Sequence, residues 1–180
     1  SFFSFSQEEI PVIDFTKQDY LIGKKVRINF DKDWRPTINI DSALYYRLIT
    51  FKEKNIPAGR IEDYYRNGIM QGAFYSSYVG LDSKGIDSLV ANGPMEVFFE
   101  NGNKKWKMNF FNDMKVGEEI GYYESGEVEY TVNHIDGLAQ GEVIFYYKSG
   151  EISLKFNSLD GLQQGEQIEY KKMNHLCRKN

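Results

Sequence analysis

The sequence predicts an all-β protein, an elongated antiparallel meander of stacked β-hairpins behind an N-terminal capping segment. Three observations carry this. Glycines recur at 93, 117, 141 and 165, a period of 24 residues, and a fixed period in this range is the signature of a repeat architecture. Within each period apolar and polar residues alternate, as in Ile152, Leu154 and Phe156 against Glu151, Ser153, Lys155 and Asn157; one half-buried strand face requires that alternation. Between the alternating runs stand Asn101-Gly102, Ser125-Gly126, Asp136-Gly137, Ser149-Gly150 and Asp160-Gly161, and such pairs supply the positive φ angles of tight hairpin turns.

At 180 residues the chain reads as one domain. Residues 1–6, Ser-Phe-Phe-Ser-Phe-Ser, are apolar and end in a small-x-small pattern, as at the tail of a secretory signal peptide. That places the mature protein outside the cytoplasm, secreted or periplasmic; if residues 1–6 instead form a strand, the protein is cytoplasmic. Residues 7–58 are a cap with a degenerate first repeat. In it Val26, Ile28 and Phe30 alternate with Arg27 and Asn29, Tyr46 and Leu48 flank Arg47, and Asp31 to Trp34 form a turn. Residues 59–173 are the repeats, interrupted by an insertion over 76–92. Gly80 and Gly85 make that insertion a binding loop or an elongated hairpin with no partner. In each full repeat the first strand carries Ile120 and Tyr122, or Ile144 and Tyr146, at the same phase as Val128, Tyr130 and Val132 in the second. Residues 174–180 are a tail, and Lys171, Lys172, Arg178 and Lys179 protect the last edge from pairing with another sheet.

The recurring pattern of glycine, an aromatic pair, Ser or Asn with glycine, an aliphatic residue and a closing Asp-Gly resembles the MORN repeat. More specifically, it resembles the bacterial variant found in antitoxin components of toxin–antitoxin modules. Gly59, Tyr64, Tyr65, Asn67 and Gly68 form an upstream copy at the same offsets. Two departures stand out: Asn112-Asp113 replaces one closing Asp-Gly, and Gly59 precedes Gly93 by 34 residues, ten more than the period. The resemblance implies a non-enzymatic scaffold that binds a partner protein, antitoxin- or immunity-like. The alternative it implies is a membrane- or lipid-associating repeat.

Composition narrows the partner. The net charge is −4, and nucleic acid needs a basic face. The same acidic balance counts against anionic lipid. Aromatic residues make up 16% of the chain, more than a disordered chain carries. No serine elbow, phosphate loop or His-Glu-x-x-His occurs, so no catalytic residue is assigned. His175 with Cys177 falls short of a zinc ligand set, Asp31 with Asp33 falls short of a calcium loop, and no cofactor is expected.

Two sets of residues are candidates for partner binding. The second member of each aromatic pair, Tyr65, Phe99, Tyr123 and Tyr147, forms either an exposed aromatic stripe or a ladder of mutually stacked rings. Residues 117–140 hold six acids and no base, more than the whole net charge. Among them Glu119, Glu127 and Glu129 are candidates for meeting a basic partner, and Glu127 and Glu129 are expected to share a strand face with Thr131. The other reading of these acids is a solvated face. His134, beside the Asp136-Gly137 turn, is either a satisfied turn histidine or a pH switch.

Overall fold

The computed structural model describes residues 22–82 and 85–171. The signal-like segment 1–6, the tail 174–180 and the pair His175 and Cys177 lie outside the described residues. The chain is all-β, as expected. Its strands are β1 (Lys25–Phe30), β2 (Tyr45–Glu53), β3 (Ile56–Pro57), β4 (Ile61–Tyr65), β5 (Met70–Asp82), β6 (Gly85–Phe98), β7 (Lys104–Phe111), β8 (Met114–Tyr122), β9 (Val128–Ile135), β10 (Leu138–Tyr146), β11 (Ile152–Leu159) and β12 (Leu162–Glu169). They pair in the order β1-β2-β4-β5-β6-β7-β8-β9-β10-β11-β12, with β3 beside β2. Two compact units divide the chain, residues 1–91 and 92–180, where one domain was expected. The boundary falls inside β6. Of the two readings of the insertion, the structure has the elongated hairpin rather than the loop: β5 and β6 run 13 and 14 residues against eight or nine in β7 to β12.

The first unit owns a closely packed core. Val26, Ile28, Phe30, Ile49, Phe51, Ile61 and Phe74 are buried, and the pairings Val26–Ile49, Ile28–Arg47 and Ile61–Phe74 put them on one face. Burial is not confined to that face: Asn29 in β1 and Leu48 in β2, on the other face, are buried too. Arg47, not Tyr46 or Leu48, shares the face of Ile28. A cation is tolerated there because Asp63 pairs with it across the strands, through Nε–Oδ1 at 2.6 Å and Nη2–Oδ2 at 2.8 Å. Phe74 and Phe30 lie 4.9 and 5.5 Å from its guanidinium carbon. A buried charge needs such a partner.

The second unit is a run of short hairpins with two kinds of turn. At one edge the peptide N–H of the first turn residue donates to the carbonyl four residues on, and the N–H three residues on donates back. Phe99, Tyr123 and Tyr147 each open such a turn, and Tyr65 opens the same turn in the first unit. The glycine three residues later has φ between 85° and 105° in all four. Asp31 opens a fifth, with Trp34 at φ 57° in the glycine's place. At the other edge Asp136-Gly137 and Asp160-Gly161 have both central residues at positive φ, and so do Asn112 and Asp113. The departure from Asp-Gly thus keeps the mirror-image turn, since Asn and Asp tolerate that region better than other side chains.

One expectation about this unit is corrected. Ile120 does not share a face with Tyr130: Gly121 pairs with Tyr130, whereas Ile120 pairs with Thr131 and Lys107. Beyond Gly121 the register slips by one and Tyr122 meets Val128, leaving Glu129 as the extra residue. A slip of one residue carries every later side chain to the other face.

Candidate functional site

The residues selected from sequence are dispersed rather than gathered. Phe99, Tyr123 and Tyr147 sit in the turns just described, half-buried. The Tyr123 hydroxyl donates to the Tyr146 carbonyl at 2.6 Å and the Tyr147 hydroxyl to the Tyr170 carbonyl at 2.7 Å. Each tyrosine therefore ties its own turn to the next repeat. Lys148 lies 5.4 Å over the Tyr123 ring and Lys105 5.6 Å over Phe99. Phe99 has no hydroxyl, and there Asn101 and Asn103 donate to the Glu124 carbonyl at 3.0 and 2.9 Å instead. Neither an exposed stripe nor a ladder of stacked rings describes this arrangement; the aromatic residues act as staples. Tyr65 belongs to the first unit, its ring 6.0 Å from Tyr45, which stacks on Trp34 at 4.7 Å.

The three glutamates part company. Glu127 lies in a turn, fully exposed, and the Ser125 hydroxyl and a backbone N–H hold its carboxyl below the usual range. It is not a strand residue facing Thr131, because β9 begins at Val128. Glu129 is the extra residue of the register slip, half-buried. Glu119 is buried. Its Oε1 accepts from the Tyr130 hydroxyl at 2.7 Å, while Oε2 meets Lys115 Nζ at 3.0 Å and His134 Nε2 at 2.9 Å. Burial opposes its charge, but the bonds from Tyr130, Lys115 and His134 win and hold its pKa below the ordinary carboxylate value. Burial and the carboxylate together raise the Tyr130 hydroxyl well above its ordinary range.

This cluster stands where the next repeat carries smaller, uncharged side chains. Twenty-four residues along, Val143 stands where Glu119 does, Leu154 where Tyr130 does, and Ser158 where His134 does. Room for the Tyr130 ring comes from Gly121, where a Cβ would sit inside the ring; Phe145 occupies the equivalent position one repeat on. His134 is thus partnered on Nε2 and buried, while its Nδ1 has no partner.

What sequence reasoning missed lies at the opposite edge. Each mirror-image turn is flanked by two large apolar residues: Phe111 and Met114, Ile135 and Leu138, Leu159 and Leu162. All six are between 40% and 69% exposed. Each pair faces across its own hairpin, and consecutive turns touch. A Cβ on Gly161 would lie 3.5 Å from Leu138, one on Gly137 3.9 Å from Met114, and the Gly137 and Gly161 N–H groups donate to the Lys115 and Ala139 carbonyls at 3.0 Å. The six side chains therefore form one continuous apolar rail. The signal was present in the sequence as Ile-Asp-Gly-Leu and Leu-Asp-Gly-Leu at the 24-residue period, where the turn residues drew the reading and their flanks did not.

The register sets two polar columns beside this rail on the same face. Asn109, Asn133 with Gln140, and Asn157 with Gln164 come next, two residues in from each apolar pair. Glu118 and Glu142 follow, paired with Asn133 and Asn157. Both glutamates are exposed, and Glu142 lies 3.6 Å from Lys155.

No group of three or more His, Cys, Asp or Glu side chains placed to hold a metal ion occurs among the described residues, and no helix there is long and apolar enough to cross a membrane. No protein-family model, curated protein or solved structure matches the chain.

Proposed function

We propose that this chain is a non-enzymatic repeat scaffold that binds a partner protein, in the manner of the MORN-type antitoxins its repeats resemble. The observation that carries the reading is the apolar rail from Phe111 to Leu162. Monomeric proteins rarely keep a contiguous row of large apolar side chains in water without a use for it. Burying a Leu, Ile, Phe or Met side chain is worth roughly 1.5–3 kcal/mol when complete, so covering six partly exposed ones supplies ample driving force for association. The acids alongside favour a partner with basic residues, and they disfavour an anionic bilayer, the alternative occupant of such a rail.

The test is capture from the native host by the full chain and by a Leu138→Ser/Leu159→Ser variant whose circular dichroism matches wild type. The reading expects one protein retained by wild type and lost, at least tenfold, by the variant. Equal capture by both sinks it. Flotation of the chain with vesicles, abolished in the variant, would transfer the rail to the lipid alternative.

A further inference from the structure

Resting on that reading, we infer that the segment seated on the rail is a basic amphipathic α-helix lying across the hairpins. The argument begins with spacing. Successive apolar pairs are two strands apart, about 9.6 Å at the usual separation of strands. Seven residues of α-helix rise about 10.5 Å, so a heptad advances by nearly one hairpin. A helix with two apolar residues per heptad offers two side chains to each pair: Phe111 with Met114, Ile135 with Leu138, Leu159 with Leu162. Over the two intervals between three pairs the mismatch accumulates to about 2 Å, which side-chain rotamers absorb.

An extended segment fits less well. Laid across the hairpins it would leave its own N–H and C=O groups against apolar side chains, and unpaired backbone groups are costly to bury. A helix satisfies its backbone internally. The charge then fixes the flank. A helix is about 10 Å across, so its side lies over the amide column and toward Glu118 and Glu142. Lysine or arginine on that flank can bury its stem against the amides while its head meets Glu118, or shares Glu142 with Lys155, which lies 3.6 Å from it.

The experiment uses the full chain and two labelled 18-residue synthetic helices, each with leucine at both apolar heptad positions. One carries lysine on its flanks and the other glutamate. Fluorescence anisotropy should show the lysine helix binding at least tenfold more tightly. The chain variant Glu118→Lys/Glu142→Lys should reverse that order, with Glu118→Gln/Glu142→Gln levelling it as a gentler check on folding. Leu138→Ser/Leu159→Ser should weaken both helices at least tenfold. An unchanged order on the charge-reversed chain, or no binding of either helix to wild type, overturns the inference. If the host partner is still lost in the leucine variant while neither helix binds, the helix is wrong and protein binding by the rail survives. If the host partner is retained by the leucine variant, the functional reading falls first.

Discussion

Gly121 is fixed by a neighbour rather than by its own backbone. The Tyr130 ring lies over it, and any Cβ would occupy the ring. Gly121→Ala must push the ring aside, with the usual cost of overpacking, about 1–3 kcal/mol, and it also strains the bond from Tyr130 to Glu119. Combining it with Tyr130→Leu, the residue the next repeat uses, should recover part of that loss, so a double-mutant cycle by urea unfolding should give a favourable coupling. Strict additivity would show that ring and glycine do not meet. Glu119 provides the pH counterpart. Its folded pKa is depressed below the ordinary 4.5, so the stability it contributes is fully present above that value. It is lost as pH falls through the lower folded value. Glu119→Gln should therefore cost stability at neutral pH, on the order of 1.5–3 kcal/mol for charge-assisted bonds. The gap from wild type should close as acid is added below pH 4.5. A gap constant in pH would mean that the charge on Glu119 is not what holds the cluster.

At the scale of the hairpin, the second aromatic of each pair holds repeats together. Tyr123→Phe and Tyr147→Phe each remove one hydroxyl bond to the next repeat, and each should lower stability by about 0.5–1.5 kcal/mol. They belong to successive turns with different acceptors, so their effects should add within about 0.5 kcal/mol. Losses below about 0.3 kcal/mol would return these tyrosines to the role of free surface. The period and the turn chemistry were legible because they depend on local rules: Gly126 and Gly137 read as turn residues on sight, and both have positive φ. Which face a side chain takes was not legible. The slip at Gly121 and Tyr122 cannot be seen from alternation: it leaves Tyr130 opposite Gly121 but sets Val128 opposite Tyr122, with Glu129 unpaired between them. Arg47 was misplaced for a related reason. An arginine between tyrosine and leucine looks solvated until Asp63, on the neighbouring strand, is known to face it.

At the scale of the whole chain, the two units are built differently, and unfolding should reveal it. Of the fourteen buried apolar residues among those described, twelve precede residue 92, and Met108 and Val143 follow it. The first unit therefore rests on a closed core. The second rests on contacts between adjacent hairpins, the near-neighbour regime of repeat arrays. The chain has two tryptophans, one in each unit, Trp34 and Trp106. Single-tryptophan variants, Trp106→Phe and Trp34→Phe, should then report two transitions in urea, with the Trp106 signal changing at lower concentration. Amide exchange should grade along the second unit as well. Protection should be strongest in β7 and β8 and weakest in β12, whose eight residues are all exposed, because among the described strands β12 pairs on one side only. The apolar rail runs from the protected end of that gradient toward the weak one. A bound helix crossing all three turns would tie Leu159 and Leu162 to Phe111 and Met114, so its arrival should protect β11 and β12 more than β7. Uniform protection along the unit, with or without the helix, would mean that the hairpins open as one block and that the rail gains nothing from spanning them.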